Sequence, residues 1–358
     1  MRKPIHLIMI SIPLFVVFSC GYKPVADDGR NIITFEDAWE FYPGFSEKIN
    51  AVGDVFYDGK SGLSSQVIEL CALVTSRYWG AESDWQVHED AALEAGLGSD
   101  IIEAVKNWQY PDFKGDTELS TAYGYATEIL TYKNITEVMY KNVVDEFGKK
   151  GAVELAGLLG HHTMIAFTIK AFRLKPETPI DFPSGEWDIT PDHSEVEHPR
   201  PACWGYPFSN KGWPMNACLS YAENMLGTAF PFQTDKLSEF CIVLTARDWD
   251  CEVPWSAHVP SAVSTGMTPD AIRAIGLGET PVQYLTEDEQ ALYRFAAVLF
   301  DNTTEMDDAT YDMAVAFFGR PLLVKLVTVM GYYSQVALVV NTVNYTLYPL
   351  PQYPFPIE

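Results

Sequence analysis

Apolar residues recur every three or four positions along most of the chain, the spacing that places them on one face of an α-helix. The densest run lies between Val67 and Val74, where apolar positions fall on nearly every side of the predicted helix. We therefore expect this helix at the centre of the fold, ending at the break Trp79-Gly80-Ala81. Since no segment alternates as a half-buried strand does, the pattern predicts an all-α fold.

Further helices follow from the same spacing. Asp84 is expected to cap the next helix, which ends at Gly96 in the left-handed conformation. Pro254 falls in the first turn of a later helix, a position that proline tolerates, whereas Pro260 is expected to kink that helix. Longer helices are predicted over residues 121–130, 137–147, 153–172, 287–300, 309–318 and 322–347.

The sequence contains an internal repeat. When the sequence is aligned with itself at a shift of 170 positions, twelve residues between 66 and 103 match identical residues without a gap. Further along the chain the shift becomes 171. A repeat of this length indicates a tandem duplication of one folding unit. The identities at a shift of 170 are Glu69/Glu239, Cys71/Cys241, Thr75/Thr245, Arg77/Arg247, Trp79/Trp249, Glu82/Glu252, Trp85/Trp255, His88/His258, Ala92/Ala262, Gly96/Gly266, Asp100/Asp270 and Ile102/Ile272. At a shift of 171, Phe147-Gly148 aligns with Phe318-Gly319, and Gly160-His161-His162 with Gly331-Tyr332-Tyr333.

The duplication predicts two tandem helical domains that pack as an intramolecular pseudodimer. The first is expected over residues 35–173 and the second over 203–348. Residues 174–202 are rich in proline and acidic residues and lack apolar periodicity, so they are interpreted as the linker. Residues 349–358 form a proline-rich tail that cannot be helical.

The N-terminus is typical of an export signal. Arg2 and Lys3 precede an apolar stretch over residues 5–18, which has the length of a signal peptide rather than of a membrane span. Residues 17–21 resemble a bacterial lipobox, in which Cys20 would be lipidated. The chain is therefore expected to be exported after residues 1–20, either lipid-anchored to the bacterial cell envelope or secreted.

Charge narrows the range of partners. The formal net charge of −24 argues against a nucleic-acid partner, because a protein needs a basic surface to bind nucleic acid. No second long apolar run is expected beside the signal, so a polytopic membrane protein is excluded. The partners that remain are a small-molecule substrate, a lipid anchor and, as an alternative to a monomer, a second copy of the chain.

The six cysteines fall into different classes. Cys203 and Cys218 flank a Trp/Pro/Gly-rich segment and are the expected disulfide of an oxidising compartment. Cys71 and Cys241 lie in apolar runs and are interpreted as core residues. Cys251 is then left without a partner.

One acidic residue and one histidine stand out in each unit. Glu69 lies in the most apolar helix, where an unpaired carboxylate is costly, and His88 follows nineteen residues later. A carboxylic acid facing an imidazole is suited to proton transfer, and Glu239 with His258 repeats the pair. The alternative is that the pair only holds two helices together. Trp79 and Trp85 are open to a similar choice between core packing and substrate contact, of which core packing is the more usual role.

These residues form a pattern, Glu-x7-Arg followed by Trp-x2-His and Ala-x3-Gly, which resembles the carboxymuconolactone decarboxylase family. That family shares its all-helical fold with the alkylhydroperoxidase D-like (AhpD-like) proteins, and the resemblance covers residues 45–172 and 215–348. It implies acid–base chemistry, a decarboxylation or isomerisation, on a small lactone or keto acid without cofactor or metal. The residues implied are Glu69, His88, Glu239 and His258 in catalysis and Arg77, Trp85, Arg247 and Trp255 in substrate binding. Each arginine is equally open to interpretation as a surface ion pair.

Two alternatives remain open. The peroxidase branch carries Glu-x11-Cys-x2-Cys-x3-His, and only Cys251 matches one of its cysteines, so a peroxidase would need an external thiol. The other alternative is a binding lipoprotein without catalysis. No metal site is expected: His193 and His198 lie in the linker, and tyrosines take the place of His161-His162 in the second unit.

Overall fold

The fold is all-α. In the computed structural model of the protein, residues 26–42, 44–189 and 235–343 are described, and every regular element among them is a helix. The expected all-α class is thereby confirmed. The helices are α1 Phe35–Trp39, α2 Phe45–Tyr57, α3 Ser65–Trp79, α4 Glu82–Glu94, α5 Ser99–Lys106, α6 Thr117–Tyr132, α7 Glu137–Ala171, α8 Lys236–Asp248, α9 Glu252–Ser264, α10 Pro269–Leu277, α11 Glu287–Phe300 and α12 Asp308–Thr342. A 3₁₀ turn, Val282–Tyr284, lies between α10 and α11.

The helices follow the sequence repeat. α4 and α9 begin and end at positions 170 apart, and α7 and α12 at positions 171 apart. The breaks predicted inside the last two are single residues, Gly148 (φ 68°) and Gly319 (φ 67°), after which the helix resumes. Glycine fits here because φ is positive. The domain boundaries themselves remain predictions.

α3 lies at the centre of the first unit, as its sequence predicts. Every residue from Val67 to Trp79 is buried, against α4, α6 and α7. Ser64 caps its N-terminus by accepting a hydrogen bond from the backbone N of Val67 (3.3 Å), and Gly80 (φ 69°) ends it. The left-handed residue turns the chain back, so that α4 returns along α3.

The two long helices cross where both carry glycine. A Cβ on Gly160 would overlap Cγ of Gln335, and a Cβ on Gly331 would lie 2.7 Å from Cγ of Met164. The contact is reciprocal, since Met164 and Gln335 are related by the same shift as the glycines. The Gln335 amide also donates to the carbonyl of Gly157 (3.1 Å).

A lysine joins the units at a second place. The Lys133 ammonium lies 4.8 Å from the ring centroid of Trp79 and 4.2 Å from that of Trp249, two tryptophans related by the repeat. Asn341 donates hydrogen bonds to the carbonyls of Lys133 and Trp249, each at 2.7 Å. Burial lowers the pKa of Lys133 to about 8.

α7 and α12 are long and apolar enough to cross a membrane by length and composition. The expectation that no second long apolar run exists is therefore wrong. The most apolar stretch of α7 is wholly buried inside the structure, as is 61% of that of α12. Core helices of folded domains pass the same test, and the burial of α7 favours this interpretation.

The first part of the predicted linker packs against the first unit. Trp187 is buried against the rings of Tyr78 and Trp108. Glu82 accepts hydrogen bonds from Lys175 (2.7 Å) and from the backbone N of Ile180 (3.1 Å). Residues 174–189 contain no helix, in agreement with the prediction. The rest of the linker, Cys20, Cys203, Cys218 and the tail 349–358 lie outside the described residues.

Three smaller predictions concern turns and prolines. Gly96 adopts the expected positive φ of 86° directly after the C-cap of α4. Pro254 lies in the first turn of α9, as expected. The helix continues through Pro260 to Ser264.

Candidate functional site

The predicted Glu–His contact is present in both units. In the first, Glu69 on α3 and His88 on α4 are buried, and Oε2 of the glutamate lies 2.7 Å from Nδ1 of the histidine. In the second, the same atoms of Glu239 and His258 are 2.8 Å apart. The meeting follows from the helical hairpins, which bring α4 back along α3 and α9 back along α8.

Asp84 does not cap α4, so this prediction is wrong. The helix begins two residues earlier, at Glu82, and Asp84 therefore lies inside its first turn with its side chain buried. Its carboxylate accepts a hydrogen bond from Ser76 Oγ (2.6 Å). It also lies 3.1 Å from Nδ1 of His162 and 3.6 Å from Nε2 of His88.

His162 and Tyr57 complete a polar chain in the first unit. His162, on α7, is buried, and its Nε2 lies 2.8 Å from the hydroxyl of Tyr57 on α2. The Tyr57 ring stacks on His88 with centroids 5.8 Å apart. Because Tyr57 is 44% exposed, this series of polar side chains reaches the protein surface at Tyr57.

The charges of the cluster depend on one another. Burial alone would lower the pKa of His88, but the carboxylates of Asp84 and Glu69 outweigh it and raise that pKa to about 10. Burial acts to raise the pKa of Asp84, yet His162 and His88 hold it well below its usual range. The pKa of Tyr57 is raised well above its ordinary value by burial and by Glu69. The Asp84 carboxylate therefore stays ionised beside a protonated His88.

The second unit has a shorter polar chain. Pro254 takes the place of Asp84, and Tyr333 that of His162. The hydroxyl of Tyr333 lies 2.9 Å from Nε2 of His258, and burial raises its pKa well above the ordinary value. The His258 side chain is 22% exposed against 10% for His88, so the second pair is the more open to solvent.

Arg77 is not a surface ion pair. It is buried, its Nε donates to the carbonyl of Lys106 (2.6 Å), and its Nη2 donates to that of Pro183. Its guanidinium lies on the rings of Trp108 and Phe182, at 4.0 and 4.5 Å from their centroids. Burial lowers its pKa to about 10. These contacts fasten residues 174–189 to α3.

Arg247 has different contacts, although it is the counterpart of Arg77. It forms an ion pair of 2.8 Å with Asp250, three residues further along the chain, and is about one third exposed. Arg247 therefore matches the alternative interpretation from the sequence, a surface ion pair. No contact with a substrate carboxylate is needed to explain either arginine.

Two sizeable open cavities lie among the described residues near the arginines of the pattern. One of about 880 Å³ is lined by Arg77 together with α7 residues, residues 180–185 and residues 302–306, and one of about 320 Å³ is lined by Arg247. Neither lining includes Glu69, His88, Glu239 or His258. A cavity beside each Glu–His pair therefore stays a prediction.

Both tryptophans of the pattern are buried. Trp85 packs edge-on against Phe182, and its indole donates to Oε2 of Glu89 (3.2 Å). Trp255 is likewise inaccessible. This placement favours core packing over substrate contact.

The three cysteines among the described residues are free and buried. The expectation that Cys71 and Cys241 are core residues is confirmed. Cys251 is 1% exposed, and burial raises the pKa of its thiol. A reactive thiolate needs the opposite environment, with access and a lowered pKa.

Sequence reasoning assigned no role in the site to Asp84, His162, Tyr57, Ser76 or Tyr333. The spacing of Asp84 and His88, four residues apart, was a usable signal because it puts both on one face of a helix. Two adjacent histidines in a core helix were another. Tyr57 carried no such signal, because its partners come from distant segments.

A scan against protein-family models finds no match for this chain, and neither curated proteins nor solved structures show a significant similarity to it. The site is therefore interpreted from its own geometry.

Proposed function

We propose that the chain is an exported enzyme of the carboxymuconolactone decarboxylase-like type, which performs acid–base chemistry on a small lactone or keto acid. The observation that carries the proposal is the Glu–His contact, which recurs through the same atoms at 2.7 and 2.8 Å. The pair persists although its surroundings differ between the units. Proton transfer requires the carboxylate and the imidazole to be in contact, as they are in both units.

The pair can move a proton at the second nitrogen of its imidazole, Nε2. When the glutamate accepts the hydrogen bond from Nδ1–H, it fixes the tautomer and leaves Nε2 to take or give the proton. In an isomerisation, Nε2 removes a proton from the carbon beside a carbonyl and returns it elsewhere on the substrate. In a decarboxylation, it supplies the proton to the carbon that loses CO₂.

The second unit is the better placed of the two for this reaction. Nε2 of His258 is next to the Tyr333 hydroxyl, which stays protonated because its pKa is raised. A protonated phenol can donate to an oxygen on which negative charge develops. His258 is also the more exposed histidine. In the first unit, Asp84 and His162 surround the corresponding nitrogen of His88.

The proposal includes the architecture. The two AhpD-like domains, residues 35–173 and 203–348, would pack as an intramolecular pseudodimer. The reciprocal contacts of Gly160 with Gln335 and of Gly331 with Met164 support this architecture. In a two-fold interface, when one position of the first unit contacts a second position of the other unit, the second position of the first unit contacts the first position of the other.

The proposal also includes export, with lipidation of Cys20 or cleavage near it. Export is supported by the charged and apolar pattern of residues 2–18. Cell fractionation tests it: the chain should reach the envelope or the medium, and Cys20→Ser should release an anchored form. A chain that stays in the cytoplasm would contradict export.

A screen of the mature protein against small lactones, keto acids and peroxides tests the activity. His88→Asn and His258→Asn, alone and together, form a matched set because each changes one unit. We expect turnover of a lactone or keto acid, lost in the double variant, with His258→Asn causing the larger single loss. Ligand binding without turnover, unaffected by both changes, would instead support the binding lipoprotein. Peroxide consumption abolished by Cys251→Ser would support the peroxidase.

A further inference from the structure

We propose that Asp84, His88 and His162 form a binding site for one Zn²⁺-like transition metal ion. Among the described residues, these three form a group whose ligand atoms all lie within 4.8 Å of one another. Asp84 lies 3.1 Å from Nδ1 of His162 and 3.6 Å from Nε2 of His88. Ligands about 2.1 Å from a tetrahedral zinc ion are about 3.4 Å apart, so small side-chain rotations suffice to close the site.

Each ligand is already oriented by a further partner. Glu69 holds Nδ1 of His88 (2.7 Å), which leaves Nε2 directed at Asp84. The Tyr57 hydroxyl holds Nε2 of His162 (2.8 Å), which leaves Nδ1 directed at the same carboxylate. Ser76 donates to Asp84 (2.6 Å). Zinc-binding histidines characteristically have their second nitrogen held in this manner by a carboxylate or another polar group.

The charge of the cluster also suits a cation. The carboxylates of Glu69 and Asp84 are both buried, and such groups need compensating positive charge. A divalent ion at the centre would supply that charge, with the imidazoles bound as neutral ligands.

The ligand set defines the class of ion. Two imidazoles and one carboxylate suit Zn²⁺ and its neighbours in the first transition row, whereas Ca²⁺ and Mg²⁺ prefer oxygen ligands throughout. Three protein ligands also leave a fourth position for water or another small ligand. Tyr57, which is partly exposed, lies between the cluster and solvent and marks the side from which an ion would enter.

The second unit is an internal control. Pro254 and Tyr333 replace Asp84 and His162 there, so His258 retains only Glu239 and a tyrosine as neighbours. We therefore expect one ion per chain. The proposal goes beyond acid–base catalysis, since binding can be measured without any substrate. An ion on Nε2 of His88 would occupy that nitrogen and leave the Glu239–His258 pair unaffected.

Calorimetric titration of Zn²⁺ into the chelator-treated, untagged mature protein tests the site. We expect one ion per chain, bound at least about 100-fold more weakly by Asp84→Asn and by His162→Gln. Glu69→Gln should weaken binding by about 10- to 100-fold, because it removes the partner of a ligand. His258→Gln, in the other unit, should bind as the wild type does.

Two further measurements keep the result decisive. Zn²⁺ should raise the melting temperature of the wild type and of His258→Gln, but not that of Asp84→Asn. The double change His193→Ala and His198→Ala removes the other paired histidines and should leave binding intact. Absence of a one-to-one complex with the wild type, or loss of binding in this last variant, would overturn the proposal.

Discussion

The position next to each imidazole differs between the units, and this difference sets what Nε2 can do. His88 faces Asp84 and His162, so its Nε2 lies in a charged cluster. His258 faces the Tyr333 hydroxyl and keeps a neutral neighbour there. The same Glu–His pair is thus placed in two chemical environments by two substitutions.

Tyr333→Phe tests the environment of His258. The change removes the hydroxyl at Nε2 and keeps the ring, so we expect the fold to persist while kcat falls by about 100-fold. The rate is measured in a His88→Asn background, where only the second unit can act. Tyr332→Phe, one residue earlier, is the control and should leave kcat within about twofold. An unchanged rate after Tyr333→Phe would remove the tyrosine from the mechanism.

Cys251 should be unreactive in the folded protein. Its burial and the raised pKa of its thiol keep the thiolate population small, so peroxide or an alkylating reagent should modify it only after unfolding. Mass spectrometry of the peptide containing Cys251, with and without denaturant, measures this. Rapid modification of the native chain would restore the peroxidase alternative.

The repeat made some of these residues predictable and concealed others. Glu69 and His88 were found because Glu239 and His258 repeat them. Asp84 was interpreted as a helix cap, and His162 was set aside as a ligand because the second unit has Tyr333 in its place. Comparing the two copies of the repeat identifies the residues that both copies share. The chemistry of the first cluster depends instead on residues that differ between the copies.

At the scale of elements, α7 and α12 depend on two glycines for their close approach. Gly331→Ala would place a Cβ 2.9 Å from the backbone Cα of Met164, which cannot move without shifting the helix. We expect the free energy of unfolding to fall by about 1–3 kcal/mol, as in other overpacked cores. Urea denaturation measures it.

Gly124→Ala is the matched control for this prediction. Its Cβ would meet only the end of the Met139 side chain, Cε at 2.9 Å, which can rotate away. Alanine also favours a helix by about 1 kcal/mol over glycine. The control should therefore be neutral or stabilising, and equal effects of the two changes would refute the role of the crossing.

Helix positions were more predictable than helix ends. The predicted helix 287–300 agrees with α11, because Thr286 and Glu289 form a capping box directly before the apolar periodicity. The error at Asp84 arose because an acidic residue near a helix start can be a cap or a first-turn residue. Burial decides between these, and the packing of α4 against α3 and α7 buries this side chain.

At the scale of the whole molecule, Lys133 makes the junction of the units sensitive to pH. Its folded pKa of about 8 lies below the ordinary value of 10.5. Between these values the lysine of the unfolded chain binds more protons, so the contribution of Lys133 to the free energy of unfolding should rise with pH in this window, by about 2 kcal/mol. His88, whose pKa is raised to about 10, contributes in the opposite direction in both proteins compared below. Below pH 8 the lysine is charged in both states and the cost of burying it is constant.

Lys133→Met should abolish this rise. Lys170 also has its pKa lowered to about 8 by burial, so both proteins compared should carry Lys170→Met. Urea denaturation at pH 7.5 and pH 10 gives the two differences to be compared. An identical rise with and without Lys133 would mean that the ammonium is solvated in the folded state.

The glycine crossing joins two halves whose facing residues are unlike, a thioether at Met164 and an amide at Gln335. In an assembly of identical subunits, every mutation at such a contact arises on both sides together and has to suit both. A fused chain is exempt from this requirement. Each half can accumulate substitutions independently, so one half can acquire a new function while the other half keeps the original one.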